Sequence, residues 1–200
     1  MPFCDWNSTR ALPDSKNKYL PGNIICALPQ LKDLFFSRSI IYITHHNADG
    51  AVGIVLNYKI MNIKSSDLLQ ELNLDKTQNT LDFSLHIGGP MSQNSGFILH
   101  TKDYKSKDTI DVTNSINLTC STQIIEDIVL QKGPNKYFIS LGYSGWGPGQ
   151  LEKEIIDNSW IHLGEKLDLI FDIDVDKKWN KAIKFTGIDF SKFSPHSGNA

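Results

Sequence analysis

SLGYSGWGPGQLEKEI (residues 140–155) places four glycines within eight residues and then passes at once into a helix-forming run. The residues before it, Tyr137 to Leu141, read as a strand of the buried type. Pro148 suits the first turn of the following helix, where its missing N–H is not needed. Leu151, Ile155, Ile156 and Trp160 then fall on one helical face. The stretch therefore predicts a strand, a glycine turn and an amphipathic helix. Three chemical uses of the glycines compete with plain turning. A phosphate-binding P-loop needs a lysine after its last glycine, and none is present. The dinucleotide spacing G-x-G-x-x-G is not met by Gly142, Gly145, Gly147 and Gly149 either. Gly142 to Trp146 nearly matches the nucleophile elbow G-x-S-x-G around Ser144, but Trp146 fills the position where a glycine lets helix and strand pack closely. A helix N-terminus can hold an anion, yet Glu152 and Glu154 already complement its dipole. Turning is the leading use, because glycine adopts backbone angles closed to other residues. Tyr143 and Trp146 add large amphipathic rings suited to packing or to a contact surface.

Working outward, Asn23 to Leu28 reads as a short strand stopped by Pro29, and Ile40 to Thr44 as another. The run AVGIVLNY follows HHNADG, and Asp49-Gly50 between the two apolar runs is a hairpin signal. Ser65 or Ser66 caps a short helix, SSDLLQELNL. Leu85 to Ile87 leads into Gly88-Gly89-Pro90; Gly96 to His100 and Ile110 to Cys120 supply more strand. Thr122 opens a helix that Gly133 can close. Leu167 to Phe171 reads as a strand, and Asp176 opens a last helix stopped by Gly187. Its lysines, Lys177, Lys178, Lys181 and Lys184, read as a solvated face, with Trp179, Ala182 and Ile183 turned inward. Early hairpins and later helix–strand alternation predict an α+β fold with a mixed, largely antiparallel sheet. Residues 1–18 read as a loosely ordered arm, 19–190 as one domain and 191–200 as a flexible tail.

A chain of 200 residues with 40% hydrophobic and 10% aromatic content is long enough for one good core. Its net charge of −2 exerts no general pull toward nucleic acid or anionic membrane. Only Arg10 and Arg38 are arginines among twenty basic residues, a poor supply for bidentate guanine readout. Sequence-specific DNA binding is therefore not expected. Cys4, Cys26 and Cys120 are too few and too scattered for a zinc ribbon or a redox pair. His45 and His46, adjacent on a strand, should point to opposite faces and cannot share one metal. No metal, cofactor or catalytic set is expected. No apolar run is long enough to span a membrane, and no secretory h-region precedes the fold, so a cytoplasmic protein is expected.

Four segments together carry a family resemblance: LPGNIICALPQLKDLFFSRSIIYI (20–43), HHNADGAVGIVLN (45–57), HIGGPMSQNSGFILH (86–100) and LGYSGWGPGQLEKEIIDNSW (141–160). In this order they resemble the AlgH/YqgE family of bacterial proteins. The resemblance covers roughly residues 19 to 190 and implies an α+β fold on a bent, barrel-like sheet. It brings no established catalytic set, and a label of transcriptional regulator that rests on a genetic association with alginate production. Two positions depart from the family pattern: His45 where Glu is common, and Ser144 where Ala is common.

The leading functional expectation is a binding or regulatory module for a small ligand or a protein partner. A transcriptional regulator and an enzyme of unassigned reaction are the alternatives. Each of the three glycine turns follows an apolar strand. If those strands are neighbours, His46, Asn47, Gly88, Gly89, Pro90, Tyr143, Trp146 and Gln150 gather at one edge as a candidate binding site.

Overall fold

A computed structural model describes residues 19–60, 70 and 83–188. The arm predicted over 1–18, the tail over 191–200 and all of the helix predicted over 65–74 except Gln70 lie outside the described residues. The nine strands among the described residues are β1 (Ile24–Ala27), β2 (Ile40–Asn47), β3 (Gly50–Val55), β4 (Leu85–Ile87), β5 (Met91–Thr101), β6 (Thr109–Asp111), β7 (Ile116–Thr119), β8 (Tyr137–Trp146) and β9 (Trp160–His162). The described helices are α1 (Gln123–Val129), α2 (Gln150–Ile156), α3 (Leu167–Phe171) and α4 (Val175–Phe185).

The strands form one sheet in the order β6-β7-β5-β8-β3-β2-β1-β9, and β4 joins β8 in parallel. The other pairings are antiparallel. The sheet curls into a half-barrel, and the whole is a single α+β domain. Alternation sorts the side chains. Ile24, Cys26, Ile40, Tyr42 and Ile54 face one core with Leu169, Ile170 and Ala182 from α3 and α4. Ile25, Ala27, Ile41, Ile43 and Val55 face another with Trp146, Leu151 and Trp160. Both faces are covered, so the central strands read as continuous β-branched runs rather than as alternating ones.

The β2–β3 hairpin turns on Ala48 and Asp49, with Asn47 paired to Gly50. The Asp49 N–H donates to Asn47 Oδ1 at 2.8 Å, a side chain standing in for backbone in the turn. At the far end, α4 is amphipathic: Lys178 and Ala182, one turn apart, are buried.

Several local expectations are corrected. Leu167 to Phe171 is a helix, not a strand. A five-residue apolar run carries too little periodicity to decide; the outer sheet position there is taken by β9, and the run covers a sheet face instead. Trp160 does not continue α2. The helix stops at Asp157, Asn158 takes a left-handed φ of 55°, and Trp160 pairs with Ala27 in β9. Ile156 consequently leaves the core and is 77% exposed. The residue with positive φ after α1 is Gln131 (58°) rather than Gly133.

Candidate functional site

Strand β8 organises both regions of interest. Its expected end at Leu141 is overrun, and the strand continues through Gly142 and Gly145 to Trp146. The first half lies between β5 and β4; the second half exchanges β4 for β3. Gly142, with φ of +74°, lies where the change occurs. The Gly88 N–H donates to the Leu141 carbonyl at 2.7 Å, and the Gly88 carbonyl accepts from the Val55 N–H at 2.8 Å and from Ser144 Oγ at 3.3 Å. At Gly89 a Cβ would sit 2.1 Å from Tyr143 backbone atoms, so two backbones meet here without room for a side chain.

The three glycine turns do converge on this half of β8. Asn47 pairs with Gly50, Gly50 lies against the Trp146 carbonyl, and Gly89 lies on Tyr143. Their polar ends are largely bound to one another. Trp146 Nε1 and Trp160 Nε1 both donate to Glu154 Oε2, at 2.9 and 2.8 Å. Gln150 donates to Glu154 Oε1 at 2.9 Å and accepts from the Gly147 N–H at 3.0 Å. His46 Nδ1 accepts from the Leu20 N–H at 3.1 Å. A neutral ring that accepts there carries its proton on Nε2, which lies 3.4 Å from Glu152 Oε1. Tyr143 packs edge-on against Phe97, with centroids 5.5 Å apart. Ser144 is fully buried, its hydroxyl on a backbone carbonyl. Asn47 is half-buried and Pro90 is exposed.

The first half of β8 borders something different. An open cleft of about 630 Å³ lies between β4, β8 and the segment from α3 into α4. Phe138, Ile139, Ile170, Phe171 and Ile173 line its apolar part; Lys59, Ser84, His86, Tyr137, Asp174, Asp176, Lys177 and Lys178 supply the polar groups. Lys178 is only 2% exposed. Its Nζ donates to the Ile170 carbonyl at 2.8 Å and stands 4.7 Å from the centre of the Phe138 ring. Among the described residues no carboxylate lies within ion-pair distance of it. Asp172, whose charge favours the ammonium, is bonded at 2.6 Å to Lys136. Burial pushes the Lys178 ammonium down to about 7, partly opposed by Asp172.

His86, from β4, stacks on the same Phe138 with centroids 4.0 Å apart. Its Nδ1 lies 2.9 Å from the Ile139 carbonyl. A carbonyl can only accept, so Nδ1 carries the proton and Nε2 keeps its lone pair. Burial pushes His86 down to about 4; the Ile139 bond opposes this, and the charges of Lys178 and Lys59 add to it. A neutral imidazole and a lysine poised near neutrality thus share one wall.

Lys178 corrects the expectation of a solvated lysine face. Its signal was in the sequence: it falls four residues before Ala182, in phase with the inward stripe. His86 on β4 and His100 on β5 lie on opposite sides of β8. Among the described residues no three His, Cys, Asp or Glu side chains converge as metal ligands, and no helix is long and apolar enough to cross a membrane.

Comparison with known proteins supplies the family. A family model described as AlgH-like matches residues 24–191. The chain belongs to the AlgH-like family. A UPF0301 protein of Pseudoalteromonas translucida is 38% identical over 183 residues, covering 90% of this chain and 98% of the relative. A UPF0301 protein of Cereibacter sphaeroides is 36% identical over 182 residues, covering 90% and 99%. The solution structure of AlgH from Pseudomonas aeruginosa superposes with a TM-score of 0.75 at 28% identity, over 94% of this chain and all of that one. A Corynebacterium diphtheriae crystal structure, at TM-score 0.66 and 21% identity over 86% and 89%, shares the fold. For this AlgH-like chain the half-barrel is therefore a family property, and no activity comes with it.

Proposed function

We propose that the protein is a small-ligand binding module and that the ligand enters the cleft beside Lys178. The observation that carries this reading is a buried lysine, at the wall of an open cleft, that pairs with no carboxylate among the described residues. Burying a cation without a counter-charge is costly, and groups with perturbed proton affinity cluster at functional sites. Apolar walls with a few placed polar groups suit a compact organic molecule. The glycine belt then serves as the scaffold that holds β4 against β8.

The same geometry supports leaving nucleic acid out of the proposal. The basic helix that could have met a duplex turns Lys178 inward and pairs Lys177 with Asp174 at 2.6 Å. The guanidinium of Arg38 lies over Trp179, 5.4 Å from its centroid.

Benzyl alcohol titrated into the ¹⁵N-labelled protein tests the site. Amide shifts should concentrate at His86, Phe138, Ile139 and Lys178. Shifts confined to Asn47, Gly89, Tyr143 and Trp146 would move the site to the belt, and the cleft reading would fall.

A further inference from the structure

We propose that His46 is a pH-operated latch on the segment that leads into β1. With the ring neutral it holds Tyr19 and Leu20 against the sheet; with the ring protonated it releases them. The latch lies away from the cleft and stands independently of the binding reading. It rests on a hydrogen bond whose direction is fixed. The Leu20 N–H can only donate, and it donates to His46 Nδ1 at 3.1 Å. Nδ1 is therefore the bare nitrogen, and the proton of the neutral ring is on Nε2. An imidazolium carries a proton on both nitrogens. Protonation sets Nδ1–H against the Leu20 N–H, donor against donor, and the bond does not survive it.

A second observation supplies the other side of the switch. His46 Nε2 and Glu152 Oε2 are both buried without a hydrogen bond, and Nε2 stands 3.4 Å from Glu152 Oε1. Buried polar atoms left unpaired cost free energy. A positive ring strengthens its contact with the Glu152 carboxylate, because charge-assisted bonds are shorter and stronger than neutral ones. The protonated ring thus gains at Nε2 while it loses at Nδ1. Histidine is the side chain whose charge ordinarily changes near neutrality, so this exchange is one that a modest pH change can drive.

The neighbours of the ring define which charges take part. α2 brings Glu152, and the N-terminal approach brings Tyr19, whose ring meets the imidazole edge-on with centroids 5.1 Å apart. β3 places the uncharged Ala51 opposite His46. On β2 the neighbour is His45. Burial lowers its proton affinity, the charge of His46 adds to this, and Asp49 in the turn opposes both. Among the described residues Glu152 is the carboxylate in contact with the latch.

The moving part is bounded. The Gly22 N–H donates to the Ile43 carbonyl at 2.8 Å, and the Ile43 N–H donates to the Asn23 carbonyl at 2.9 Å, so the chain is pinned to β2 from residue 22 onward. Gly22 has a φ of +82°, a bend that glycine makes without strain. Upstream of it, Leu20 packs on the core cluster that contains Trp146, Leu151 and Trp160. Release gives up this packing and the 3.0 Å turn bond from the Asn23 N–H to the Leu20 carbonyl. It uncovers one margin of that cluster and leaves the sheet paired.

NMR of the ¹⁵N-labelled full chain between pH 7.5 and pH 5 tests the latch. At pH 7.5 the long-range ¹H–¹⁵N spectrum of the ring should show Nε2 protonated and Nδ1 bare. As the pH falls the ring should titrate, and the ¹H–¹⁵N NOEs of the Tyr19 and Leu20 amides should drop at least twofold with the same midpoint. Those of Asn23 and Ile43 should stay unchanged. His46→Asn places an amide oxygen near the position of Nδ1, where it accepts at every pH, so Tyr19 and Leu20 should stay ordered throughout. A ring protonated on Nδ1 at pH 7.5 would overturn the proposal, as would a ring that stays neutral down to pH 5. A ring that titrates while Leu20 stays ordered, or a release that persists in His46→Asn, would do the same. If His46→Asn does not fold, the wild-type curves decide alone: different midpoints for the ring and for Leu20 would show that the two events are not linked.

Discussion

The two halves of strand β8 share a backbone and differ in what they do with polar groups. Beyond Gly142, many polar atoms have an internal partner: two indoles and Gln150 converge on Glu154, and Ser144 donates to Gly88, while His46 Nε2 and Glu152 Oε2 are buried without a hydrogen bond. Before Gly142, Phe138 carries a histidine and a lysine whose charged forms burial disfavours. The first arrangement is closed, the second open to a cleft. The difference teaches that dense glycine marks where backbones must touch, whereas the binding proposal rests on a buried amine that pairs with no carboxylate among the described residues.

The comparison is easiest to break at Gly89. Gly89→Ala sets a methyl group 2.1 Å from Tyr143 backbone, and no rotamer change can relieve a backbone clash. We expect a loss of about 3 kcal/mol or more in urea unfolding. A near-neutral result would mean that the fork where β3 and β4 meet β8 is not close-packed and that the glycine turns are free for other uses.

The cleft half should respond to pH rather than to volume. Lys178 titrates at about 7 in the folded chain, against 10.5 as its ordinary value. Between those limits the unfolded chain holds a proton that the folded chain lacks, so stability rises with pH. Below pH 7 both states hold it, and the penalty is constant. Cys26, pushed up to about 12 by burial, acts in the opposite sense once an unfolded thiol ionises, so the clean window is pH 7 to 8.5. Wild type should gain ~1–2 kcal/mol across it. Lys178→Met should flatten the rise and be at least as stable as wild type at pH 7. A flat wild-type curve in urea titrations would show that Lys178 keeps its ordinary affinity for protons.

Ser144→Ala gives the smallest effect. Its hydroxyl makes one long bond, 3.3 Å, to a carbonyl that also accepts from Val55. The expected cost is under about 1 kcal/mol, with the thermal midpoint barely moved. A large loss would mean that the fork depends on this side chain as much as on the glycines around it.

Local chemistry made much of the fold legible. The apolar runs at 24–27 and 40–44, the hairpin at Asn47 to Gly50 and the last helix stopped by Gly187 follow from β-branched content, turn residues and periodicity. The family was legible from four motifs in order. Residues 167–171 and Trp160 were not, because short apolar segments adopt whichever element the neighbouring sheet leaves room for.

By itself, the sequence determined the class of fold, the apolar runs at 24–27 and 40–44 as strands, and the glycines that allow close turns. Those properties depend on a residue and its near neighbours, where propensity and period operate. Only the tertiary structure decided that β8 runs past its glycines and that β4 wedges into the fork. It also decided that Lys178 turns into a cleft with His86 and Phe138. Those residues are 86, 138 and 178 in the chain, and their meeting depends on which strands pair. The packing also sets the lysine's proton affinity, chiefly by removing water from it, with Asp172 only partly opposing the shift.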